Sequence, residues 1–409
     1  MSISVLRRLW LKGMAALLAA QLLIISVLVA ISEWRKRRAP PPRFPHERRQ
    51  VSEVDGNDMR IYTYGQDLYN AMLAAIDNAR ETIYLETFIW KGDPLGEEFK
   101  DRLARKAAQG VKVYVVFDSF ANLVVPARFK HFPASINTLE YTTMEQSWYW
   151  FDLRRLARDH RKLLIVDHEV AFIGGFNIGK LYATQWRDTH LRIRGTAALE
   201  LAYAFVDFWN NNRKHLPPIP LIGSRPWSQS VRVYRNDPAR LVFPIRGLYL
   251  EAIERAERHI YVTNAYFIPD RVVLSALIAA ARRGVDVRVL IPWQSNHVVA
   301  DWLARGYFTQ CLRNGVRIFG FEHAMIHAKT ATIDGIWSTI GTANLDRLSL
   351  AGNFEINIEI LDPDFAADME HIFTIDLSNA FELTPQRWAQ RSLLSKLSEQ
   401  ILRPLWPLL

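Results

Sequence analysis

The chain has 409 residues, 49% of them hydrophobic and 23% charged, a balance that builds a packed core and excludes a disordered polymer. Lys and Arg exceed Asp and Glu by nine, which favours an anionic partner such as a lipid headgroup surface or nucleic acid without choosing between them. The single cysteine, Cys311, excludes an intramolecular disulfide framework, and no Cys/His cluster has zinc-ligand spacing, so neither a structural metal nor a cofactor is expected.

The N-terminus departs from a soluble protein. Twenty uncharged residues lie between Lys12 and Glu33. As a helix they rise roughly 30 Å, about the thickness of a bilayer's hydrocarbon core. A secretory signal is the rival reading, but Leu28 ahead of Ala30 makes a poor cleavage site. Residues 1–34 are therefore expected to form a transmembrane anchor. Arg7, Arg8 and Lys12 precede the span, while Arg35, Lys36, Arg37, Arg38, Arg43, Arg48 and Arg49 follow it. By the positive-inside tendency, the large C-terminal portion is expected on the cytoplasmic side of the inner (plasma) membrane. Residues 35–50, proline-rich and basic, read as an extended linker along an anionic membrane surface, or as an inert spacer.

Beyond the linker the chain is written twice. "YNAMLAAIDNARETIYLETFIW" and "LARKAAQGVKVYVVFDSF" return as "LYLEAIERAERHIYVTNAYFIP" and "LIAAARRGVDVRVLIPWQ". Each half reads as an amphipathic helix, a short strand, a second helix, a glycine (Gly110 or Gly284) and a β-branched strand. Helices alternating with buried strands imply an α/β fold, with mixed sheets flanked by helices. Residues 216–228 carry the proline and glycine of a connection, giving a first repeat over 51–222 and a second over 223–409.

The duplication is sharpest in its polar residues. "HRKLLIVDHEVAFIGGFN" begins at His160, and "HAKTATIDGIWSTIGTAN" begins 167 residues later at His327. Lys162 and Lys329 follow by two residues, Asp167 and Asp334 by seven, Asn177 and Asn344 by seventeen, Asp188 and Glu355 by 28. Alternation along a strand puts His160 and Lys162 on one face, and His327 and Lys329 on another. A relic of duplication satisfied within each half is the bland reading. A relic of the fold alone, however, keeps apolar positions, and here the polar ones agree while the residues between have drifted.

Such a set suits phosphodiester chemistry. Two lysines and two asparagines surround phosphate oxygens with donors. One imidazole serves as nucleophile and the other as general acid, and protonating the leaving alkoxide is worth about 10²–10⁴-fold. A carboxylate holding one imidazole nitrogen fixes the tautomer of the other. With cationic side chains in place, a divalent metal is not required.

The paired H-x-K-x4-D motifs resemble those of the phospholipase D superfamily. "LETFIW", "WRDTHLRIRG", "NAYFIP" and "GTANLDRLSLAGNFEIN" are similar, more narrowly, to its bacterial cardiolipin synthases, from about residue 51 into the 370s. The resemblance implies two tandem phospholipase D-like repeats packed as a pseudo-two-fold unit. It implies a phosphatidyltransferase moving a phosphatidyl group between two phosphatidylglycerol molecules through a phosphohistidine, giving cardiolipin and glycerol. By that resemblance His160 is the nucleophile and His327 the acid, although the near-symmetry permits the reverse. Lys162, Lys329, Asn177 and Asn344 match the phosphate-binding positions, and Asp188 and Glu355 the histidine-orienting ones. Asp167 and Asp334 complete the catalytic motifs, more as braces of the strand ends than as reacting groups. Where the family often has Gly-Ser, this chain has Gly341 and Thr342, which keeps the hydroxyl. A phospholipase D that passes the intermediate to water, a nuclease of the superfamily and a non-catalytic lipid-binding scaffold are the alternatives. The anchor argues against nucleic acid as a partner.

Two further stretches bear on lipid. Trp148 to Phe151, with Arg154, Arg155 and Arg158 nearby, read as aromatic core in preference to an interfacial lip. The apolar tail "ILRPLWPLL" either touches lipid or covers the domain. Oligomeric state is not readable.

Overall fold

Leu68, Tyr69, Met72, Leu73 and Ile76 recur at helical spacing and form the buried face of a helix over Gly65–Asn78. Its counterpart, Pro244–Arg255, buries Ile245, Leu248, Tyr249, Ala252 and Ile253. Each is followed by a strand, Thr82–Thr87 or His259–Asn264, and a second helix, Pro94–Ala108 or Arg271–Arg282. Asp93 and Asp270 start these second helices by accepting backbone N–H bonds, from Gly96 in the first and from Val272 and Val273 in the second. Gly110 and Gly284, at φ 93° and 96°, turn the chain into the strands Lys112–Asp118 and Asp286–Pro292. The order of elements read from the sequence is present in both halves.

The structure, a computed structural model, describes residues 3–38, 40–47, 51–142, 157–220, 223, 228–402 and 404. The aromatic run Trp148 to Phe151, Arg154 and Arg155 lie outside the described residues, as does part of the connection between the halves.

Strands of the first half form one mixed sheet. Its order is Ser52–Val54, Asn57–Tyr64, Trp186–Arg194, Val170–Gly174, Leu163–Val166, Thr82–Thr87, Lys112–Asp118, Ile136–Tyr141. The second half repeats this arrangement. It runs from Val231–Asn236 through Glu355–Leu361, Trp337–Gly341, Lys329–Ile333, His259–Asn264 and Asp286–Pro292 to Arg317–Phe321, with Ala380–Glu382 added at the edge. In both sheets the last three shared strands are parallel and the motif hairpin is antiparallel. Buried helices Thr196–Asn212 and Pro363–Leu377 again start 167 residues apart.

The halves are not independent bodies. Leu163, Ile165, Ile173 and Leu191 of the first share one apolar cluster with Ile340, Ile356 and Ile358 of the second. Each such side chain contributes about 1.5–3 kcal/mol when fully buried. A two-residue strand of the second half, Met325–Ile326, also pairs in parallel with Trp186 and Arg187 of the first sheet. The second half carries a long helix, Val298–Arg313, where the first has only Ala127–Lys130 between the corresponding strands.

Ile3–Arg38 is one helix, and its portion Trp10–Arg38 is long and apolar enough to cross a membrane. It runs past residue 34 because Arg35 to Arg38 suit a helix C-terminus, and it stops at the Pro40–Pro42 run. The segment that follows lies against the folded domain. The Arg43 N–H donates to the His323 carbonyl at 3.2 Å, and His46 stacks on Tyr64 at 4.3 Å. Phe44 packs against an apolar cluster of the second half. Ile401 and Leu402, the start of the apolar tail, end helix Leu393–Leu402, which lies against the N-terminal helix, where Gln21 Nε2 donates to the Ile401 carbonyl at 2.9 Å; residues 403 and 405–409 lie outside the described residues.

Candidate active site

The buried strand Leu163–Val166 fixes the segment that leads into it. There Asp159 bridges to Phe354, and the His160 N–H donates to the Phe354 carbonyl at 3.0 Å. The second half mirrors the contact, with the His327 N–H donating to the Arg187 carbonyl at 2.7 Å. Phe354 and Arg187 occupy equivalent positions, so each half grips the other's motif segment with the same residue of its own sheet.

The next residue in each strand is the carboxylate. His160 Nδ1 stands 2.9 and 3.0 Å from the two oxygens of Glu355, and His327 Nδ1 stands 2.7 Å from Asp188 Oδ2. Each histidine is therefore oriented by the acid of the opposite half. With Nδ1 held, Nε2 of each ring is the nitrogen left for phosphorus or for a proton. Phe88 meets the His160 ring edge-on at 4.6 Å, while Trp186 and Tyr266 flank His327 at 5.0 and 6.1 Å.

Lys162 and Lys329 are 2% and 0% exposed, so each ammonium must find its partners inside. Lys162 Nζ donates to the His160 carbonyl at 2.6 Å and Lys329 Nζ donates to that of His327, which leaves each with further N–H groups. Asn177 and Asn344 are buried too. Asn177 accepts the Ile89 N–H at 3.1 Å through Oδ1, whereas Asn344 Oδ1 has no partner among the described residues.

Asp167 and Asp334 do something else. Asp167 accepts three backbone N–H bonds, from Arg80, Glu81 and Thr82, all at 2.8 Å. Asp334 takes those of Glu257, Arg258 and His259 at 2.7, 2.9 and 2.8 Å. Both sit at φ values near 50°, which aspartate tolerates better than bulkier residues, at the far ends of the strands that the motifs open. Through these bonds both motif aspartates brace the start of the neighbouring strands.

The halves differ behind the histidines. Thr342 Oγ1 donates to Glu355 Oε2 at 2.5 Å, so the hydroxyl of Gly341-Thr342 is a bond to the orienting acid. The equivalent of Thr342 is Gly175, and a Cβ there would stand 2.1 Å from Asp188 Oδ1. The shorter acid reaches His327 because that volume is empty, and it is steadied by the Thr189 N–H at 2.7 Å.

Burial dominates the electrostatics. It pulls Lys162 down to about 7 and Lys329 to about 8, against Glu355 and Asp188, which favour the ammonium forms. Burial and the nearby lysines hold His160 well below the ordinary imidazole range and His327 at about 3. Burial raises Glu355 to about 7. It raises Asp188 as well, but His327 and Lys329 outweigh it and leave this carboxyl below its usual range. One acid is thus an ionised carboxylate and the other sits near neutrality. Because Lys329 acts on His160 and Lys162 acts on His327, the two lysines and the two histidines belong to one site. A phosphodiester entering this site supplies the negative charge it favours.

A family model described as "Cardiolipin synthase, PLD-like domain" matches residues 72–209 and again 249–377. The chain belongs to that family. It is 33% identical over 363 residues to "Cardiolipin synthase A" of Pseudomonas putida (strain W619), covering 86% of this chain and 75% of that one. It is 32% identical over 368 residues to "Cardiolipin synthase" of Listeria monocytogenes serotype 4a (strain HCC23), covering 86% and 76%. Among solved structures, phosphatidylserine synthase of Haemophilus influenzae Rd KW20 superposes with a TM-score of 0.65 at 14% identity, over 92% of this chain and 97% of that one, a likeness of fold. The chain is an enzyme of the cardiolipin synthase type, a phosphatidyltransferase of the phospholipase D superfamily. Its apolar N-terminal helix and its bacterial relatives point to membrane association.

Sequence reasoning missed what holds the crossing together. Arg187 forms a buried two-pronged ion pair with Asp376, Nε to Oδ1 at 2.8 Å and Nη2 to Oδ2 at 2.6 Å. It anchors the strand carrying Asp188 to a helix of the second half. Its signal was its place beside Asp188 in "WRDTHLRIRG"; Asp376, inside a helix, gave none.

Proposed function

We propose that this enzyme forms cardiolipin and glycerol from two molecules of phosphatidylglycerol, through a phosphohistidine on His160. The observation that carries the proposal is the reciprocal pairing, His160 with Glu355 and His327 with Asp188. Nε2 of neutral His160 attacks the phosphorus of the first lipid, and the phosphorus–oxygen bond to its headgroup glycerol breaks. His327, its imidazolium stabilised by ionised Asp188 and by the incoming phosphate charge, gives the leaving glycerol oxygen its proton. Lys162 and Lys329, with Asn177 and Asn344, surround the phosphoryl oxygens with donors. The terminal hydroxyl of a second phosphatidylglycerol then loses its proton to His327 and attacks phosphorus, which frees His160. The difference between the acids supports this order, since the ionised carboxylate stands behind the ring that must carry a proton.

The arginines and lysine after the apolar span support an active site on the cytoplasmic face of the inner membrane. The test is lipid mass spectrometry on phosphatidylglycerol vesicles. Wild type should yield cardiolipin and glycerol, and His160→Ala should yield none. Phosphatidic acid as the main product would make water the acceptor, and full activity in His160→Ala would remove the nucleophile. Trapped phosphohistidine mapping to the peptide of His327 would reverse the roles.

A further inference from the structure

A second cluster of cations lies outside the active site. Helices Arg271–Arg282, Val298–Arg313 and Leu393–Leu402 border a cleft of about 1180 Å³, into which Arg271, Arg305, Arg313 and Arg391 project against a single acid, Glu399. Arg391 is tied to Glu399 at 3.0 Å, while Arg305 is held in place over the ring of Trp302 at 4.4 Å. Arg271 and Arg313 are exposed. None of the histidines, lysines or carboxylates of the active site lines this cleft. Glu399 is bound by Arg391 and Asp301 acts on Arg305, so the excess positive charge of the cleft lies on Arg271 and Arg313, where guanidinium forks match phosphate oxygens.

The rim names the source of the anion. Helix Leu393–Leu402 turns Leu393, Leu394 and Leu397 outward, 81%, 77% and 56% exposed, along one stripe. The anchor helix packs against this helix and against Val298–Arg313, and its basic end brings Arg35 near Arg305. An apolar stripe, a basic cleft and a helix fit to span a bilayer are thus continuous. We propose that the cleft binds the headgroup phosphate of an anionic phospholipid, separate from the lipid that reacts, with its acyl chains running past Leu393, Leu394 and Leu397 towards the anchor. The long helix that the second half alone carries builds this site. The proposal does not depend on the reaction assigned above.

The test uses the full chain in detergent micelles, carrying His160→Gln so that lipid is not consumed. Native mass spectrometry counts retained phosphatidylglycerol, with phosphatidylcholine as control. Adding Arg271→Ala and Arg313→Ala should remove one retained phosphatidylglycerol, as an affinity loss of about 30-fold, given the worth of each cation at an anionic lipid surface. Arg271→Lys with Arg313→Lys should retain it, and phosphatidylcholine should bind the same in all forms. Unchanged phosphatidylglycerol retention in the alanine pair overturns the proposal. So does equal loss of phosphatidylcholine, displacement by millimolar inorganic phosphate, or a dimer of the chain that the alanine pair dissociates.

Discussion

Asp188→Asn separates a crossed site from two self-contained halves. Asp188 uses two oxygens for two donors, the Thr189 N–H at 2.7 Å and His327 Nδ1 at 2.7 Å. Asparagine offers one oxygen. If the backbone N–H keeps it, the amide NH₂ faces Nδ1 and the ring must move its proton to Nε2, the wrong tautomer for attack or for proton return. The loss is a buried, charge-assisted bond worth about 1.5–3 kcal/mol, so kcat should fall roughly 10- to 150-fold. Glu355→Gln should be milder, about tenfold, because the Thr342 hydroxyl that now donates to Oε2 can rotate to serve an amide instead. The assay is cardiolipin formation in vesicles, together with the Nδ1 proton resonances of the two histidines, assigned with His160→Gln and His327→Gln. Asp188→Asn should abolish the His327 signal and spare that of His160. Loss of the His160 signal instead would mean that each acid serves its own half, and the reasoning from the crossed pair would fail.

Other outcomes follow from the same geometry. Gly175→Ala places a Cβ where Asp188 Oδ1 lies, so kcat should fall at least as far as in Asp188→Asn while circular dichroism stays native. Asp167→Ala removes the acceptor of three backbone N–H groups and should cost about 2 kcal/mol in urea unfolding with kcat within a few-fold of wild type; inactivation as deep as that of His160→Ala would return Asp167 to the reacting set. Lys162, held at about 7, is mostly neutral at pH 8, and a bound phosphate anion favours its ammonium, so binding should take up protons. Calorimetry with inorganic phosphate in buffers of different ionisation enthalpy should show that uptake at pH 8, with affinity weakening as pH rises further; proton release would contradict it.

Much of this was legible without coordinates, because it is written in local pattern. The faces of helices Gly65–Asn78 and Pro244–Arg255, the glycines that end the second helices and the buried motif strands are near-neighbour properties, and the 167-residue offset repeats them. The polar residues of the site were identifiable for the same reason, since each keeps its distance from its own histidine. Which acid meets which histidine was not. Asp188 and Glu355 lie at one identical separation from the histidines of their own halves, so spacing is the same whether the pairs form within a half or across. The choice is made where Phe354 and Arg187 join the opposite motif segments, contacts that span 194 and 140 residues and depend on two sheets sharing one apolar core. The Arg187–Asp376 pair and the empty volume at Gly175 belong to that same packing. Sequence determined the two sets of groups, and the interface between the halves decided that they meet.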